Sequence, residues 1–176
     1  MPGFNRFTYA VAGISLALVL GVAAQALAGP FEDAVQLSNQ GDYSGALDAL
    51  RPEVEIGYPD RPEDWNIDAR IAFVIVADKL SDQLWNNSAP PETVSSHAAD
   101  FMLAYEIAKV HAESDAFANW GMRYYLGKMY LTGTGVAENG ELSEGLLRQV
   151  ADSGDPQYDA RAKDLLCYEL ALEEYC

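Results

Sequence analysis

Apolar positions recur at helical spacing in seven stretches of this chain, each closed by glycine, proline or a run of small polar residues. Phe31, Ala34 and Val35 give a short stripe that ends at the Asn39–Asp42 turn, and Ala46, Leu47 and Leu50 restart the period up to Gly57. Two prolines and a glycine mark residues 57–62 as a loop. The run Ile71–Ala77 is apolar throughout and rich in β-branched residues, which suits a buried strand. Its length argues for a helix instead, because Ala69, Ala72, Val76, Leu80 and Leu84 carry one stripe through both flanks. After the Asn86–Pro91 loop, Val94, Ala98, Met102, Tyr105 and Ala108 predict a single helix that ends near Glu113–Asp115. Asp155 followed by Pro156 reads as an N-cap and first helical residue for a last helix carrying Ala162, Leu165, Leu166 and Leu170. The expectation is an all-α protein of about seven helices with no strand.

The stretch from Asn119 to Gly154 organises the rest. Trp120, Tyr124, Gly127 and Leu131 fall at i, i+4, i+7 and i+11, so they share a helical face, with Tyr130 beside it. Gly127 lacks a side chain, which lets a facing helix come close. Gly133 and Gly135 permit the positive φ of a sharp reversal, and Val136 returns to plug the pair. Leu142, Leu146, Leu147 and Val150 form the answering stripe, and Gly154 sits where a helix-ending glycine belongs. Such a hairpin cannot bury both of its faces alone, which is the logic of stacked repeats.

The string from Leu126 to Val136, LGKMYLTGTGV, resembles the signature of Sel-one-like repeats, relatives of the tetratricopeptide repeat, and Ala151-Asp152-Ser153-Gly154 resembles the end of that family's second helix. The resemblance covers about one repeat, 119–154. Gly145 and Asn139 depart from the family's usual alanine and acidic residue. Gly41-Asp42-Tyr43 followed by Ala46-Leu47 resembles the family's opening helix pair. The resemblance implies a short α-α superhelix occupying 29–176 as one helical-repeat domain, and a protein that binds other proteins.

Residues 1–28 change that picture only at the start of the chain. Arg6, the apolar run Ala10–Val22 and Ala26-Leu27-Ala28 have the form of a cleaved secretory signal peptide in a bacterial protein, which places the chain in the periplasm or outside the cell. No stable membrane insertion is expected after cleavage. Without Arg6 the chain has 10 basic side chains against 27 acidic, a net charge of −17. That balance argues against nucleic acid and anionic membranes. It fits either a basic partner or a solvated outer face. Export also lets Cys167 and Cys176 form a disulfide, within the chain or between two chains. A continuous helix would hold them roughly 13 Å apart, so an internal bridge requires the chain to turn back after about Leu172.

Catalytic chemistry finds little support. His97 and His111 lie on one predicted helix, about 21 Å apart, too far to share a metal. Asp100 can face His97 as a solvated surface pair or as an acid–base pair. No catalytic residue, metal or cofactor is expected. The candidate contacts are aromatic. Trp120, Tyr124, Tyr125 and Tyr130 cannot all be core if their helix has an outer face, and Arg123 beside them can anchor a carboxylate. Packing between neighbouring helices is the alternative for each. The expected role is a periplasmic adaptor or regulator that binds a protein or peptide. An inhibitor or immunity protein capping a basic enzyme is the alternative, and a cell-envelope hydrolase a more distant one.

Overall fold

A computed structural model describes residues 29–55, 67–113 and 119–176. The expected signal peptide, the loop at 57–62 and the predicted break at 114–115 lie outside them. The described residues form eight α-helices and no strand: α1 Pro30–Asn39, α2 Tyr43–Glu55, α3 Ile67–Asn86, α4 Pro91–Ser96, α5 Ala98–Ala112, α6 Asn119–Thr132, α7 Gly140–Ala151 and α8 Asp159–Tyr168, followed by a 3₁₀ turn, Glu173–Tyr175. Each helix packs chiefly on its neighbours in the chain. The short α4 is skipped, so that α3 packs on α5, and α3 also touches α6.

The stretch Ile71–Ala77 is helical, as its flanks predict. Phe73, Val74, Val76 and Ala77 are buried and Ile71, Ala72 and Ile75 are partly so, which makes α3 apolar on nearly every side. The helix expected to start at Pro91 is two helices, and this accounts for the eighth. His97, with φ −101° and ψ 8°, interrupts the run. The predicted stripe is also rotated. Val94, Ala98 and Met102 of that stripe face outward, Tyr105 is partly covered and Ala108 is buried as expected, and the buried face is completed by Phe101, Ala104, Ile107 and Ala112. Residues 98–112 are apolar on most faces, so spacing alone does not fix which side turns inward. The polar anchor does: Asp100 is only 6% exposed and binds Arg51 of α2.

The hairpin α6–α7 forms as expected. A Cβ at Gly127 would stand 3.0 Å from Leu147 Cγ, so α7 rests almost directly on the α6 backbone. Gly133 and Gly135 have φ of +71° and +74°, Asn139 N–H donates to Tyr130 O at 2.8 Å, and Asn139 Oδ1 caps α7 by accepting from Leu142 N at 3.0 Å. Val136 is half-buried against the core. Gly135 does more than turn the chain: it lies on the backbone of α5, where a Cβ would overlap the Phe101 carbonyl. The answering stripe differs in one place. Leu142 is 47% exposed, and Ser143 is buried in its stead with Leu147 and Val150.

The last helix starts three residues later than Pro156. Asp155 Oδ1 accepts from Gln157 N at 2.9 Å and Tyr158 N at 3.0 Å, capping a single turn that precedes α8. Gly154, with φ +70°, turns the chain two residues past the α7 C-cap, Asp152. Cys167 and Cys176 are bonded within the chain, with Cα atoms 5.1 Å apart. The helix ends at Tyr168, earlier than predicted, so that Leu172 N–H can donate back to Leu166 O at 2.9 Å. Arg148 clasps the returning tail, binding Glu144 at 2.8 Å and Glu174 at 2.7 Å while stacking on Tyr175.

Candidate functional site

The side chains of α6 divide between two sides of the helix. On the side toward α3 and α8, Tyr124 and Tyr125 are buried and their rings lie 5.5 and 6.0 Å from that of Tyr158. Burial raises the pKa of all three hydroxyls above the ordinary tyrosine value. One turn on, Lys128 Nζ binds Asp78 at 2.9 Å and Asp82 at 2.8 Å, tying α6 to α3. Burial opposes the charge on Lys128, but the two carboxylates outweigh it and its pKa is raised. Asp78 is also raised, because its own burial outweighs the pull of Lys128. This side is filled and cross-braced.

On the other side, α5 and α7 flank α6 and leave a groove of about 300 Å³ between them. Leu126 and Tyr130 of α6 form its floor with Arg123; Lys109 and Ala112 of α5 and its C-cap Glu113 form one wall, and Leu142, Leu146 and Gln149 of α7 the other. Tyr130 OH bonds Tyr105 OH at 3.1 Å, with the rings edge-to-face at 5.9 Å. That hydrogen bond, followed by burial, pushes the Tyr105 pKa up to about 12. Arg123 braces the groove from beneath: Nε donates to Ala112 O at 2.9 Å and Nη1 to Gln149 Oε1 at 3.1 Å, while the guanidinium lies 5.0 Å from the Trp120 ring.

The five residues singled out from the sequence thus reach three places. Tyr124 and Tyr125 pack inside, Trp120 pairs with Arg123, and Tyr130 joins Arg123 in the groove. Lys109, Leu142, Leu146 and Gln149 complete that groove. The sequence pattern places the two leucines in the core stripe of α7 and gives no signal that α5 stands opposite.

The carboxylate next to His97 belongs elsewhere. Asp100 is buried and held by Arg51, with His97 Nδ1 at 3.5 Å from its other oxygen, so the expected solvated surface pair is instead an internal tie between α2 and α5. Burial works against the charge on Arg51, but Asp100 and Glu55 together raise its pKa. Among the described residues no group of three His, Cys, Asp or Glu is placed to hold a metal, and no helix is long and apolar enough to cross a membrane. No protein-family model, curated protein or solved structure matches this chain.

Proposed function

We propose that the chain is an exported helical-repeat protein of Sel-one-like type, an adaptor or regulator that acts in the bacterial periplasm by binding another protein. In this reading α1–α2, α3–α5 and α6–α7 are successive hairpins of a short superhelix, α8 begins a fourth, and the tail bonded through Cys176 closes the end. The observation that carries it is the docking of Gly135, in the turn of one hairpin, on the α5 backbone of the hairpin before. Repeats that cannot bury their faces alone need such a joint between neighbours. A groove held open by helix backbone then binds by shape, without rearranging.

A second reading, an inhibitor capping a basic enzyme, draws on the disposition of charge. Arg51, Lys128, Arg148 and Lys163 are held by carboxylates of the chain itself, and Lys79, Lys109, Arg123 and Arg161 lie over aromatic rings. Carboxylates therefore dominate what a partner meets.

Cross-linking the tagged full chain in intact cells, followed by purification from the periplasmic fraction, tests the adaptor reading. One dominant co-purifying protein is expected. Absence of any partner across the cross-linker range removes the adaptor reading, and a secreted basic enzyme as that partner favours the inhibitor.

A further inference from the structure

Resting on the binding role proposed above, we infer that the groove between α5 and α7 is a docking site for a basic amphipathic helix of a partner protein. Met102 and Lys109 of α5 and its C-cap Glu113 fall at i, i+7 and i+11, so the wall that lines the groove continues one turn past Tyr105 to Met102, which is 60% exposed. Leu142, 47% exposed, stands on the facing wall. On α7, Gly145 follows Leu142 by three residues, and a Cβ there would meet nothing within 4 Å. A surface helix that shows a leucine and then a bare backbone lets another helix come close.

The walls decide what form the occupant takes. Both are helices whose backbone groups already bond within the helix, so they offer no row of donors and acceptors to an extended strand. A helix satisfies its own backbone and needs only an apolar face. From Met102 to Glu113 the wall is roughly 16 Å long, about three helical turns, which accommodates apolar anchors at i, i+3 or i+4, i+7 and i+11.

Charge decides the occupant's sign. Glu113, the C-cap of α5, lines the groove, and within three or four residues of lining side chains stand Glu106 of α5, Glu141 of α7 and Asp152 at the α7 C-cap, all exposed and none in an ion pair among the described residues. The two basic side chains that line the groove are already engaged: Lys109 lies over the Tyr105 ring, and Arg123 on the floor is held by Ala112 O and Gln149 Oε1. A helix with lysine or arginine flanking its apolar face complements these carboxylates. A second copy of this acidic chain does not.

The test uses fluorescence anisotropy with the purified protein and three labelled fourteen-residue peptides. One carries leucine at helical spacing with lysine flanks; one has the same leucines with glutamate flanks; the third has the basic composition with its leucines scattered. The first is expected to bind at least about tenfold more tightly than the other two, and to weaken with added salt. Gly145→Trp puts a large ring beside the lining residues Leu142 and Gln149, at a position where a Cβ meets nothing within 4 Å, and is expected to weaken binding by about tenfold or more, whereas Trp85→Ala, at an exposed site on α3, leaves it unchanged. Circular dichroism confirms that both variants keep their helices. No binding of the basic peptide, equal binding of all three, or indifference to Gly145→Trp overturns the inference. So does a dimer in sedimentation that Gly145→Trp dissociates, which would give the groove to a second copy. A partner captured in cells whose cross-links survive Gly145→Trp leaves the adaptor role standing and removes the groove from it.

Discussion

Replacing Gly135 with alanine separates two effects that one glycine combines. The first is backbone conformation: φ is +74°, and an L-residue held there costs about 1–2 kcal/mol. The second is space, since the added Cβ would overlap the Phe101 carbonyl on α5. That obstacle is helix backbone, which cannot rotate aside as a side chain does. Either the loop lifts off α5 or the two hairpins part, at an overpacking cost of about 1–3 kcal/mol. Gly135→Ala is therefore expected to lose roughly 2–5 kcal/mol in urea unfolding, read as a fall in midpoint. Gly133 supplies the control. Its φ is nearly the same, +71°, but its Cβ would meet the movable Glu138 side chain at 3.1 Å. Gly133→Ala should lose only the first part, about 1–2 kcal/mol. Gly145→Ala, in an open helical position, should gain up to about 1 kcal/mol. Equal losses at positions 133 and 135 would refute the idea that this turn is the joint between hairpins.

Other expectations follow from single groups. Ser143 Oγ is fully buried with no hydrogen-bond partner, so Ser143→Ala should raise stability by about 1 kcal/mol in the same assay; a loss of that size would mean that the hydroxyl is satisfied. Cys167→Ser should cost about 2–3 kcal/mol by freeing the short terminal loop, and the wild-type chain should run as a monomer on non-reducing gels, where a dimer would contradict the internal bridge. Tyr105, Tyr124, Tyr125 and Tyr158 all have folded-state pKa values above 10.0. The unfolded chain therefore loses these protons first, so stability is intact below pH 10 and falls as pH rises beyond it. Absorbance at 295 nm should show these tyrosines ionising together with the loss of helical signal; smooth ionisation in a chain that stays folded would count against their burial.

How much of this was legible in the sequence depended on where the deciding contact lies. The hairpin at 119–154 was legible because its determinants are local: Gly133 and Gly135 make the turn and Gly127 meets Leu147 twenty residues on, although Asn139 read as a departure from the family pattern and not as the cap of α7 that it is. The inward face of α5 was not. Its apolar residues cover most of the circumference, and the choice falls to Asp100, whose partner Arg51 is forty-nine residues away. The internal disulfide was one of two open pairings, because only the early end of α8 brings Cys176 back. The groove was hidden for a related reason. Periodicity assigns Leu142 and Leu146 to an apolar stripe but does not say whether a neighbour covers that stripe.

The same contacts decide which substitutions can inform on function. Tyr125 and Arg123 attract attention as binding anchors, an aromatic and a guanidinium side by side. Yet Tyr125 is packed against Tyr124 and Tyr158, and Arg123 joins the Ala112 carbonyl of α5 to Gln149 of α7. Truncating either would loosen the helices around the groove, and a lost partner would then report folding as much as recognition. Leu142 and Gly145 are different. Neither side-chain position is enclosed, so changing them alters what an incoming helix meets while the internal packing stays as it is. A change of affinity at these two sites with an unchanged urea midpoint would belong to recognition. Parallel changes in both would mean that the groove's walls are themselves unstable, and that a partner must complete the fold as it binds.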